Sequence, residues 1–137
     1  MIGVMPCSGA CNVGQISTKA VVQVIQRRPG EIGFVCALGL PLQIPGIVKK
    51  AHENYTRHIA VNGCNVACAS KALASIGLSP EEEFLVTQTT GTEKNGDLTD
   101  ESGLPALVDA VLEAVDRLQA IDENMTTRGS APVVVMS

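Results

Sequence analysis

The sequence predicts an α/β fold: a three-layer sandwich with a mostly parallel sheet of four to five strands flanked by helices. Two observations carry this expectation. Short apolar runs alternate with segments of helical periodicity along the whole chain. The runs are apolar throughout rather than alternating with polar residues, as strands buried on both faces of a parallel sheet should be. Right-handed crossovers follow from that topology. With 137 residues and no internal boundary, residues 1–137 are expected to form a single domain with a core of its own.

The first strand is Ile2 to Met5, bounded by Pro6. A Cys-Gly loop leads to a helix from about Gln15 to Arg28, with Ile16, Ala20, Val21, Val24 and Ile25 on one face and Pro29-Gly30 as its stop. Ile32 to Cys36 is the second strand. Pro45-Gly46 opens a helix to about Asn54, Pro45 being tolerated in its first turn. His58 to Val61 is the third strand, and Ala67 to Ile76 a helix closed by Gly77. Three glutamates precede the fourth strand, Phe84 to Thr87. Leu104, Leu107, Val108, Val111, Val115 and Leu118 mark a last long helix to about Asp122. Val133 to Met136 reads as a fifth strand or as a contact in a homo-oligomer. Gln88 to Gly103, rich in Thr, Gly, Asn and Asp, reads as a mobile surface loop rather than a lid.

Composition excludes several classes of function. The formal charge of −4 gives no electrostatic footprint for nucleic acid or an anionic membrane. Phe34, Phe84 and Tyr55 are the only aromatics, too few for a base-stacking platform. Met1 to Met5 is too short for a signal-peptide core, and no run reaches the roughly 18 apolar residues of a membrane span. A cytoplasmic location is therefore expected. There, an odd number of cysteines, five, favours metal or redox chemistry over a disulfide framework.

Four of the cysteines form two pairs with equal spacing, Cys7-x3-Cys11 and Cys64-x3-Cys68, and Cys36 lies alone between them. Each follows a predicted strand, so all five belong at one edge of the sheet, where parallel α/β folds bind ligands. Cysteines separated by two to four residues suit tetrahedral zinc, and soft sulfur also suits Cu(I) and iron–sulfur clusters. Cys11 and Cys68 fall near helix starts, which favour the thiolate. Taken alone, Cys36 at the end of an apolar strand reads as a small buried hydrophobe. Gly9, Gly14 and Gly63 read as residues for tight turns. Ser8-Gly9 and Asn12 suggest an anion cradle, but no Gly-Lys-Ser/Thr follows. A Cys-x5-Arg phosphate loop is excluded because position 13 is Val13. His52 and His58 read as structural or surface residues. A thiol enzyme, with Cys7 or Cys64 as nucleophile and Cys11 or Cys68 as resolving thiol, remains the alternative to a metal site.

Three segments together resemble a known family: Pro6-Cys-Ser-Gly-Ala-Cys-Asn-Val-Gly-Gln15, Phe34-Val-Cys-Ala-Leu-Gly39 with Pro45-Gly46 after it, and Ile59-Ala-Val-Asn-Gly-Cys-Asn-Val-Ala-Cys-Ala-Ser-Lys-Ala72. In this order they are similar to the DGC family, named for an Asp-Gly-Cys motif and described as zinc-binding. The resemblance spans roughly residues 4–78. It implies a metal site formed by Cys7, Cys36, Cys64 and Cys68, and so raises Cys36 above its reading as a buried hydrophobe. Zn²⁺ is the expected ion, an iron–sulfur cluster the less favoured one, and a closed four-thiolate site would serve structure or metal handling rather than hydrolysis. Two positions depart from the family pattern. Asn62 replaces the motif's Asp, whose carboxylate would orient a ligand or tune the metal. Cys11 stands where a small non-thiol residue is usual, as an additional ligand or a redox thiol.

Overall fold

A computed structural model describes the backbone of residues 1–136 and the side chains of residues 1–124. The element order is β1 (Ile2–Pro6), α1 (Asn12–Arg27), β2 (Ile32–Phe34), α2 (Pro45–Glu53), β3 (Arg57–Asn62), α3 (Cys68–Ala74), β4 (Glu82–Leu85), α4 (Val86–Thr89) and α5 (Leu104–Met136). The four strands form one parallel sheet in the order β2-β1-β3-β4. Ile2 lies beside Ile32 on one side and Arg57 on the other.

Every residue of β1 is buried, as the apolar run required. Ile2, Val4, Ile59 and Val61 face α1 and α5, where they meet Val13, Ile16, Val21, Leu107 and Val111. Met5 and Ala60 face the other side and pack with Ala51, Tyr55, Ala69 and Leu73 of the α2 and α3 layer. Helices thus cover both faces. The chain passes from β1 to β2 over one face, then from β2 to β3 and from β3 to β4 in the opposite direction over the other. These crossovers share one hand, as the twist of parallel strands demands. The reversal of direction makes the gap between the carboxyl ends of β1 and β3 the switch point of the sheet. No helix among the described residues is long and apolar enough to cross a membrane.

Several boundaries move from the sequence expectation. α1 begins at Asn12 instead of Gln15, and β2 stops at Phe34, leaving Cys36 in the following loop. β4 starts at Glu82, two residues before Phe84, while Val86 and Thr87 enter a short helix. As an edge strand, β4 tolerates its glutamates, and Glu82 pairs with Arg117 of α5 at 2.6 Å. Val133 to Met136 lie within α5 and form no fifth strand. A four-residue apolar run carries too little periodicity to separate strand from helix. Gly77 at φ +80° closes the turn after α3 as expected.

His58 is buried at the amino end of β3, with Nε2 3.0 Å from the Ala51 carbonyl. It has a structural role, away from the cysteines, and burial holds its pKa below the ordinary histidine value.

Candidate metal and thiol site

All five cysteines stand in the loops at the carboxyl edge of the sheet, and all are free. They divide between the two sides of that edge. Cys7 follows β1 directly, Cys36 lies two residues after β2, and Cys68 is the first residue of α3. These three line one cavity of about 540 Å³ together with Phe34, Leu38 and Lys71. Cys11 and Cys64 are not on its lining; they pack against the core on the α1 and α5 side. Each Cys-x3-Cys pair therefore straddles the sheet edge and sends one sulfur to the cavity.

Cys7 is the best-held thiol. Its N–H donates to the Val61 carbonyl at 3.0 Å, continuing the β1–β3 ladder one residue past the strand, and to Ser17 Oγ at 3.2 Å. The backbone N–H groups of Gly63 and Gly9 and the Cys68 thiol are its electrostatic neighbours. Burial raises its pKa most, and the neighbouring Cys68 raises it further; the two backbone N–H groups act in the opposite direction.

Two glycines make this convergence sterically feasible. A Cβ on Gly14 would stand 2.5–2.7 Å from the backbone O, N and Cα of Gly9. One on Gly63 would stand 2.9 Å from the Gly14 nitrogen and 3.0 Å from the Val13 carbonyl carbon. The loops of both cysteine pairs thus touch the first turn of α1 backbone to backbone. Neither glycine has positive φ. Their role is close approach rather than the tight-turn conformation expected from sequence.

Asn12 was expected near an anion cradle; instead, it is fully buried and fastens the 88–103 loop. Its Nδ2 donates to the Glu93 carbonyl at 2.8 Å and to Asp100 Oδ2 at 3.2 Å, and its Oδ1 accepts the Asn95 N–H at 2.6 Å. The fastening brings Lys94 Nζ to 3.5 Å from Cys64 Sγ. Asn62, at the end of β3, is buried as well. Its Oδ1 accepts the N–H groups of Ala69 and Ser70 at 2.9 and 3.1 Å, and its Nδ2 donates to Ser70 Oγ at 2.9 Å. It therefore caps the start of α3 and fixes the helix that carries Cys68. No sequence signal pointed to the Asn12 clamp, because its partners lie more than 80 residues away.

Three non-glycine residues among those described have positive φ: Ser8 at 57°, Gln43 at 57° and Ala67 at 56°. They occupy the three loops that deliver Cys7, Cys36 and Cys68. Left-handed backbone costs an L-residue about 1–2 kcal/mol, and such strain concentrates at functional sites. Ala67 adjoins Cys68 and has no side-chain hydrogen bond to compensate. Ala67→Gly is expected to stabilise the protein by about 0.5–1 kcal/mol, the relieved strain less the added freedom of the unfolded chain. Urea denaturation checks this, with a lowered midpoint as the contrary result.

Among the described residues, no group of three or more Cys, His, Asp or Glu side chains is drawn together tightly enough to hold a metal ion. The donor set nevertheless suits one by its chemistry: three soft thiols, delivered by three loops, open on one cavity. Comparison with curated proteins and with solved structures gives no match. The family model of the DGC domain matches residues 3–115, well beyond the three segments that suggested it. The matched region includes all four strands, the clamped loop and the cavity cysteines, and the chain belongs to the DGC domain family.

Proposed function

We propose that the protein binds Zn²⁺ through Cys7, Cys36 and Cys68. The observation that supports this most is that these three thiols, from three separate loops, line one cavity at the switch point of the sheet. Zinc takes thiolates at about 2.3 Å, so the exposed Cys36 and Cys68 must close on the half-buried Cys7. Cys64, the fourth ligand implied by the family, reaches such an ion only if its loop turns across the sheet edge. A three-thiolate set leaves one position facing the cavity, and that is how it differs from a closed structural site. The reading needs reduced thiols and hence a reducing compartment such as the cytoplasm.

Metal analysis of anaerobically purified protein tests it. About one zinc per chain is expected, lost in Cys7→Ser, Cys36→Ser and Cys68→Ser and kept in Cys11→Ser. Loss in Cys64→Ser as well would restore the four-thiolate set. Absence of stoichiometric metal in the parent protein, or retention in Cys7→Ser, overturns the reading. Visible absorption in fresh anaerobic protein would replace zinc by an iron–sulfur cluster.

A second reading rests on Cys7 and Cys68 lining the same cavity. Cys7 would act as a nucleophile resolved by Cys68, rather than by its sequence neighbour Cys11, but the burial that raises its pKa opposes the thiolate this chemistry needs. Rapid alkylation of Cys7 near neutral pH, unchanged by a chelator, favours this thiol chemistry over metal binding.

A further inference from the structure

The cavity holds more than sulfur, and its other wall has no use in metal binding. Phe34 and Leu38 line it while 41% and 69% exposed, a large apolar surface left open to water. Lys71 is the only charged residue on the lining. It follows Cys68 by three positions on α3, so the helix places the ammonium group and the thiol on one side, with Ala72 beside them. Among the described residues Lys71 enters no ion pair, whereas Lys19, Lys49 and four arginines on other surfaces do. A volume of about 540 Å³ falls in the range of small-molecule pockets. Such pockets combine apolar walls with a few polar groups that fix the ligand's orientation.

We propose that this cavity binds a small amphipathic anion, with its apolar body on Phe34 and Leu38 and its carboxylate at Lys71, beside Cys7 and Cys68. The inference stands on the cavity itself and does not require the metal. It also fits the zinc reading, because the head group would lie next to the position that three thiolates leave open. The strained loops around the cavity agree with a site shaped for a ligand.

Titration of the full-length protein with sodium decanoate, followed by calorimetry, tests this, in metal-free and in zinc-loaded samples. Saturable one-to-one binding is expected in both, with 1-decanol at least tenfold weaker. Lys71→Gln is expected to weaken decanoate binding about fivefold to tenfold while leaving decanol unchanged. Leu38→Glu, at an exposed position, should weaken it more than tenfold with an unaltered circular dichroism spectrum. Equal binding of decanol and decanoate, wild-type affinity in both variants, or no saturable binding overturns the proposal. So does self-association of the parent protein that Leu38→Glu abolishes, which would make the apolar wall an interface between copies. A protein that takes up no stoichiometric zinc yet binds decanoate would sink the metal reading alone.

Discussion

Replacing Gly14 with alanine is expected to destabilise the protein by about 3 kcal/mol, although Gly→Ala inside a helix ordinarily stabilises by up to about 1 kcal/mol. The sign reverses because the new Cβ would meet the backbone of Gly9 at 2.5–2.7 Å, where no side chain can swing aside. Overpacking of this kind costs typically 1–3 kcal/mol, and three backbone contacts put this case at the upper end. For a chain of this length the loss corresponds to a fall of roughly 10 °C in melting temperature. The effect reaches the thiols through a short path. The Gly14 carbonyl accepts the Ser17 hydroxyl at 2.6 Å, and Ser17 Oγ in turn accepts the Cys7 N–H. The displaced Gly9 also lies beside the Cys7 sulfur, which is 3.3 Å from where a Cβ on it would stand. Loss of burial, the largest cause of the raised Cys7 pKa, should outweigh loss of the Gly9 N–H that lowers it, so alkylation of Cys7 is expected to be faster in Gly14→Ala than in the parent. Thermal melting and thiol labelling check both parts; a variant as stable as the parent would mean that the loop yields at no cost.

The sequence revealed the fold because its strands are apolar on both faces and its helices carry clear stripes; a parallel sheet with helices on each side was the only economical arrangement. It also placed every cysteine at the correct edge, since each follows a strand. It did not show on which side of that edge each sulfur falls. Cys7 and Cys11 share a loop that turns from strand into helix, and the path of that turn depends on Gly63 and Val13, distant contacts with no local signature. The same holds for the 88–103 stretch, whose Thr, Asn and Asp content resembles that of a mobile loop. Its order comes from Asn12, on another element. Asp97 and Asp100 add local turns, accepting the N–H groups of Thr99 and Ser102 at 2.9 and 3.0 Å. The Thr99 and Ser102 hydroxyls donate to the same carboxylates at 2.6 and 2.5 Å, and these bonds first, with the N–H bonds after them, hold both carboxyl groups below the usual carboxylate range. β4 was misplaced by two residues for a related reason: glutamates look like a solvated lead-in until the strand is known to lie at the sheet edge.

Asn62→Ala is the second substitution with a large expected effect, a loss of about 3 kcal/mol. The side chain is 1% exposed, and its Oδ1 accepts two N–H groups at the start of α3. Alanine leaves both without a partner, and each unsatisfied buried donor costs about 1–3 kcal/mol. The consequence for the site is positional. α3 carries both Cys68 and Lys71, so a loosened first turn should separate Cys68 from Cys7 and lower zinc stoichiometry along with stability. Asn62→Asp distinguishes capping from metal tuning, because it restores the acidic residue of the family motif. A carboxylate oxygen can accept the same two N–H groups, the Ser70 hydroxyl can rotate to donate to it, and negative charge is favourable at a helix start. This variant is expected to stay within about 1 kcal/mol of the parent at pH 7. Its folded-state pKa should lie below the unfolded value of about 3.9, the two N–H groups, the Ser70 hydroxyl and the helix start together outweighing the burial that raises it. The stabilisation is then fully present above that value and is lost as pH falls through the folded pKa. Denaturation at pH 7 and pH 3, with metal analysis of both variants, separates the roles. If Asn62→Asp kept its stability but changed its zinc content, the acidic residue would act on the metal. If both variants matched the parent in stability, the cap would not be what holds Cys68 in place. The geometry favours capping: residue 62 sets where the second cysteine pair stands, and Asn and Asp can do this equally well.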